Sequence, residues 1–226
     1  MNIIITGASR GIGYETALLF AQEKGNRVIT ISRTPTINHQ VSNIQHICFD
    51  LQSDKYELEL LPEILKQFNS IDILINNAGA LVNKIFEELS LQEWQNIFQT
   101  NFFGIVKLIK ILLPYMGKHS TSHIVNISSM GGFQGSQKFK GLSAYSSSKA
   151  ALANLTECLA EEFKEKNIAV NCLALGAVQT EMLSDAFPDY KAPLSARQMA
   201  EFIVQFSKTA HQLMNGKIIP VSLSTP

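Results

Sequence analysis

The chain has no surplus of charge of either sign. Nineteen Lys plus Arg balance nineteen Asp plus Glu, so the formal net charge is zero. Nucleic-acid binding needs cations that displace phosphate counterions, and no global excess supplies them, so no nucleic-acid partner is expected. Cysteine is scarce: Cys48, Cys158 and Cys172 are odd in number, far apart and without a C-x-x-C pair. A disulfide framework and a thiolate zinc site are therefore not expected, whereas reduced thiols in a cytoplasmic protein are. The five histidines form no H-E-x-x-H or related pattern, so no metal centre is expected. No basic segment with a long apolar run precedes Ile3, so no secretory signal is expected. The most apolar helical stretch, Ile105 to Met116, is broken by Lys107, Lys110 and Pro114 and reads as too short and too charged for a membrane span.

Apolar residues are plentiful by contrast, at 46% of 226 residues with only 17% charged. That suffices to offset chain entropy in one domain over 1–226. Short apolar runs alternate with longer amphipathic ones. Strands are expected at Asn2–Thr6, Arg27–Ser32, Ile44–Asp50, Ile71–Asn76, His123–Ser128, Ile168–Leu175 and Lys217–Leu223. Helices are expected at Gly11–Lys24, within Tyr56–Phe68, and over Leu91–Met116, Tyr145–Lys166 and Ala196–Lys208. Strands that are nearly continuous apolar runs suit burial on both faces, which predicts a parallel sheet covered by helices on both sides. Two long loops, Met130–Ala144 and Gly176–Ser195, are placed where function usually lies.

Thr6-Gly7-Ala8-Ser9-Arg10-Gly11-Ile12-Gly13 follows the first strand and opens the first helix. Glycines there permit a tight turn and let backbone N–H groups and the helix N-terminus approach a pyrophosphate. The second strand ends Ser32-Arg33-Thr34, without the acid that would hold the ribose 2′-OH of NAD. Arg33, with Arg10 as a second candidate, suits the 2′-phosphate of NADP. Tyr145 and Lys149 are four residues apart and share a helix face, so a cation can favour the phenolate. Ser129 closes a strand at the ligand edge of such a sheet, while alternation turns Ser128 to the opposite face.

Taken in order, TGASRGIG at Thr6–Gly13, Asp50, Asn76-Asn77-Ala78-Gly79, Asn101, Ser129, Tyr145 and Lys149 resemble the short-chain dehydrogenase/reductase family over nearly the whole chain. The resemblance implies a doubly wound (Rossmann) α/β fold with a seven-stranded parallel sheet. It implies NADP(H) as the preferred cofactor, a small carbonyl or alcohol as substrate, and a homodimer or homotetramer. It assigns Tyr145 as acid–base, Lys149 as the residue that lowers the tyrosine pKa and holds the nicotinamide ribose, Ser129 as the substrate-orienting hydroxyl, and Asn101 as holder of a relay water. Cofactor contacts would come from Gly7, Ser9, Arg10, Gly11, Ile12 and Gly13, then Arg33, Asp50 and Leu51. Asn77, Ala78, Gly79, Val178 and Thr180 would complete the set, together with Tyr145 and Lys149. Leu175-Gly176 stands where the family usually has Pro-Gly, which leaves that turn less rigid. A 3-oxoacyl thioester reductase and a non-catalytic NADP(H)-binding regulator remain open as alternatives. Met182, Leu183, Phe187, Tyr190 and Leu194 give the second long loop an apolar character, with Lys191 and Arg197 as its nearby cations.

Overall fold

A computed structural model describes residues 1–35 and 41–223. Among these, seven strands form one parallel sheet in the order β3-β2-β1-β4-β5-β6-β9. They are β1 (Asn2–Thr6), β2 (Arg27–Ser32), β3 (Ile44–Cys48), β4 (Ile73–Asn76), β5 (Ser122–Ser129), β6 (Ile168–Leu175) and β9 (Ile218–Val221). Two-residue strands β7 (Val178–Gln179) and β8 (Leu194–Ser195) pair separately. The helices are α1 (Gly11–Ala21), α2 (Leu61–Leu65), α3 (Leu91–Phe98), α4 (Gly104–Leu112), α5 (Ser143–Glu162), α6 (Glu181–Ala186) and α7 (Ala196–Thr209).

The two-sided burial expected of such strands is visible in β1. Ile4 packs on one face with Leu60, Ile64, Ile105, Leu108 and Leu152. Ile3 and Ile5 pack on the other with Ala17, Phe20, Met199 and Ile203. A period of two thus feeds a run of three isoleucines to both layers. All three are fully buried, and each side chain stabilises the fold by about 1.5–3 kcal/mol relative to exposure.

Element ends differ from expectation in places. Strand β3 stops at Cys48 because Asp50 begins a turn, its Oδ1 accepting from Gln52 N at 2.9 Å. Ile71 forms only an isolated bridge with Met116 before β4 starts. The segment after Lys55 opens as a π turn over Tyr56–Leu60. The long helix is not uniform: a π turn, Gln99–Phe103, joins α3 to α4. The helical stretch Leu91–Tyr115 is 25 residues and contains an 18-residue window of mean hydropathy 1.4, long and apolar enough by length and composition to cross a membrane. This corrects the judgement made on Ile105–Met116 alone. Within the fold it is a core helix, with Ile105, Leu108, Ile109 and Leu112 packed on the sheet.

The order 3-2-1-4-5-6 reverses direction between β1 and β4. In an open parallel sheet, ligands bind at that reversal, outside the carboxyl ends of the strands. Gly7 follows β1 there and Asn77 follows β4.

Candidate active site

The glycine turn is built by close approach. Gly7 has φ +67° and Gly11 φ +60°, the left-handed region that favours glycine. A Cβ on Gly7 would lie 2.6 Å from Ala78 Cα, and one on Gly13 would run into the Asn77 amide. Asn77 Nδ2 donates to the carbonyls of Thr6 and Gly7 at 3.1 and 3.0 Å, and Ala78 N–H donates to Thr6 Oγ1 at 3.0 Å. Asn77 is therefore first a staple that shapes the turn. Arg10, the N-cap of α1, makes no side-chain cap bond. The first N–H groups of the helix, around Gly11, Ile12 and Gly13, thus have no side-chain cap competing with a pyrophosphate. The residues present fit a dinucleotide here.

Arg33 and Asp50, distant in sequence, border one cleft of about 230 Å³ together with Cys48, Phe49, Ser53 and Glu59. Leu51 is buried beside it, its carbonyl accepting from Tyr56 Oη at 2.8 Å. Arg10 turns elsewhere, to Asp185 of α6 at 3.9 Å. Thr180 caps α6 by accepting from Leu183 N at 3.3 Å, and its methyl lies across from Gly11. Val178 is buried. Leu175 is held without a proline: it lies in register between Ser129 and Val221, and Gly176 N–H donates to Val221 O at 2.9 Å.

Ser129, Tyr145 and Lys149 converge at the end of β5. The Ser129 hydroxyl lies near enough to the Tyr145 phenol to favour its phenolate. Gly131 N–H donates to Ser129 Oγ at 3.1 Å. Ser128 takes the opposite face, as alternation requires, and donates to Lys149 O at 2.8 Å. Lys149 is 3% exposed; its Nζ donates to Ile127 O at 2.8 Å and lies 6.0 Å from the Tyr145 ring centroid. A Cβ on Gly79 would sit 3.4 Å from that Nζ, so the glycine backbone packs close to the buried ammonium.

The expected lowering of the tyrosine pKa by Lys149 is not found. Burial pushes the Tyr145 phenol up, and the Ser129 hydroxyl only partly reverses this. Burial also pushes Lys149 down to about 8, so the cation itself is weakened by the site that holds it.

Asn101 is fully buried within the π turn. Its Oδ1 accepts from Ala80 N at 2.7 Å, and its Nδ2 donates to Ala80 O and to Ser148 Oγ, both at 2.9 Å. The side chain is thus spent on structure, and a relay water here would need a main-chain acceptor. Ser148, which also donates to Tyr145 O at 2.7 Å, completes the link from Asn101 to α5. Sequence reasoning missed it, because three consecutive serines before Lys149 differ only in the face each presents. Among the described residues no cluster of metal-ligating side chains occurs.

The short chain dehydrogenase family profile matches residues 1–191. A 3-oxoacyl-[acyl-carrier-protein] reductase of Chlamydia trachomatis is 30% identical over 187 residues, covering 79% of this chain and 74% of that protein. The Thermotoga maritima protein of the same name is 29% identical over 204 residues, covering 87% and 79%. Among solved structures, the ligand-free aldohexose dehydrogenase of Thermoplasma acidophilum superposes with a TM-score of 0.87 at 26% identity, covering 100% of this chain and 96% of that one. ElxO with NADP bound gives 0.84 at 27% identity, covering 97% and 96%. The chain belongs to the short chain dehydrogenase family. It is an NAD(P)-dependent oxidoreductase acting on CH–OH groups.

Proposed function

We propose that the protein is an NADP(H)-preferring reductase of a small carbonyl compound, or the reverse alcohol dehydrogenase. The observation that carries this is the Ser129–Tyr145 hydroxyl pair at the end of β5, with the Lys149 ammonium 6.0 Å from the Tyr145 ring. When bound, the reduced nicotinamide supplies hydride to the carbonyl carbon. Ser129 orients the carbonyl oxygen, and Tyr145 Oη gives it a proton. Lys149 holds the nicotinamide ribose, and Asn101, through Ala80 and Ser148, fixes the walls around both. The glycine turn at Gly7, Ser9 and Gly11–Gly13 holds the pyrophosphate, with Asn77 behind it. Asp50 and Leu51 border the adenine, while Val178 and Thr180 close the nicotinamide side. A turnover assay with NADPH and a panel of carbonyl compounds tests the reading. No turnover, with NADPH still bound, would favour a dinucleotide-sensing regulator.

NADP preference rests on Arg33 in the adenosine cleft and on Ser32 in place of an acid. NADPH is expected to bind at least about tenfold tighter than NADH, a gap of roughly 1.4 kcal/mol. Arg33→Ala should erase most of it, because Arg33 is the cation that borders the cleft with Asp50. Equal affinities of the unmodified protein for the two cofactors would end this reading.

A 3-oxoacyl thioester on a carrier protein is the second reading. The two curated relatives bear that name. Rates with a free 3-oxoacyl thioester and with small ketones separate the two.

We also propose self-association and a cytoplasmic setting, the latter supported by the free thiols of Cys48, Cys158 and Cys172. On α5, Leu152 and Phe163 are packed in the core. One uncovered apolar face among the described residues is on α3 and its π turn, where Trp94, Phe98 and Phe103 line a groove of about 260 Å³ and Leu91 is 73% exposed. Light scattering should give at least twice the 25.0 kDa chain mass at micromolar concentration, and a monomer would refute association.

A further inference from the structure

The connection from β4 to α3 is a strap tied at both ends. At its start, the Asn101 side chain holds both main-chain groups of Ala80. Near its end, Lys84 Nζ pairs with Glu93 at 3.2 Å, the carboxylate that also closes the capping box of α3 with Ser90. Between these anchors the strap touches both long loops. Lys84 N–H donates to Gly141 O at 2.9 Å. Asn83 Nδ2 donates to Ala186 O at 2.9 Å.

Ala186 is the last residue of α6, whose final carbonyls have no partner within the helix. Asn83 satisfies one from another element. At its other end α6 begins against the glycine turn, where the Thr180 methyl faces Gly11. Six residues of helix, about 9 Å long, therefore cross the mouth of the cleft between β1 and β4. Gly141 closes the third side. It has φ +88°, and a Cβ there would overlap the Asn83 amide oxygen. The amide is thus fitted against glycine backbone on one side while it donates to the helix end on the other.

We propose that Asn83 is a positioning residue that latches α6 over the substrate cleft and so sets access for the carbonyl compound. This rests on the reductase reading for what the cleft admits. Asn83 is exposed, and one solvent-accessible hydrogen bond contributes little on balance, so the latch is weak enough to open in each cycle.

The test compares the full-length protein with Asn83→Ala and Asn83→Asp, the second keeping size while removing the donor. Limited proteolysis within residues 181–192 should speed up about three- to tenfold in both variants, since cleavage follows the open population. The melting temperature should be unchanged, and KM for the carbonyl substrate should rise while kcat is held. Unchanged cleavage in both variants overturns the proposal. Faster cleavage at every site with a lower melting temperature also overturns it, because that reports a loosened fold. Cleavage is read without turnover, so the latch and the reductase reading can fail separately.

Discussion

Tyr145→Phe is expected to lower turnover by about 10²- to 10⁴-fold, the range for a lost general acid–base. The substitution keeps the ring and removes only the hydroxyl that meets Ser129. NADPH affinity should survive, because the phenol is not a phosphate ligand. Lys149→Ala should behave differently, weakening cofactor binding as well as slowing the reaction. It also strips the donor from Ile127 O, leaving that buried carbonyl short of a partner. Ser129→Ala should slow turnover with cofactor affinity near normal. Steady-state rates paired with NADPH fluorescence titration distinguish the three. Full activity of Tyr145→Phe on a substrate that the parent reduces would remove Tyr145 from the mechanism.

The second large effect is on acid stability, at the opposite end of the sheet. His123 is 1% exposed, and its ring nitrogens meet Ser207 O at 2.9 Å and Asn171 Nδ2 at 3.0 Å. These partners suit a neutral ring: Nδ1–H donates to the carbonyl, and Nε2 accepts from the amide. A second proton would face the amide donor. Burial pushes His123 from 6.5 down to about 4, with His211, 5.4 Å away between centroids, disfavouring charge further. The folded state thus binds fewer protons than the unfolded one. Its contribution is present in full above about pH 6.5 and is lost as the pH falls towards about 4. At 1.36 kcal/mol per unit the loss approaches about 3 kcal/mol. Urea titrations of the parent and His123→Asn between these limits measure it. The variant, unable to titrate here, should show a much flatter slope, and equal slopes would mean that His123 is not the group responsible.

Much of this architecture was legible because burial on two faces leaves a plain mark. Ile3-Ile4-Ile5 and Ile168–Leu175 are too apolar to be anything but interior strands. That Ser128 and Ser129 face opposite ways was legible too, since alternation separates neighbours on a strand, and the family resemblance favoured Ser129. Elements without a period were not. Two-residue strands β7 and β8 and the short α6 carry too few residues to display one. The π turn at Gln99–Phe103 was hidden because a single extra residue in 25 leaves the surrounding apolar pattern looking helical. The pKa of Tyr145 was misjudged for a related reason. Spacing places a cation near the phenol but says nothing of how deeply both are buried, and burial dominates here. Arg33 was favoured over Arg10 from sequence, and the fold separates them further by placing one beside Asp50 and the other beside Asp185.

The π turn amounts to one residue inserted into an otherwise ordinary helix. Removing any single residue from Gln99–Phe103 would restore regular hydrogen bonding and improve the helix taken alone. It would also rotate α3 against α4 by about 100°, the angular step of one residue. With Ile105, Leu108 and Leu112 fixed on the sheet, that rotation would fall on Trp94 and on the anchor that Asn101 makes with Ala80. A shorter, more regular sequence at this point therefore encodes a worse enzyme, and insertions or deletions here are constrained by angle rather than by length.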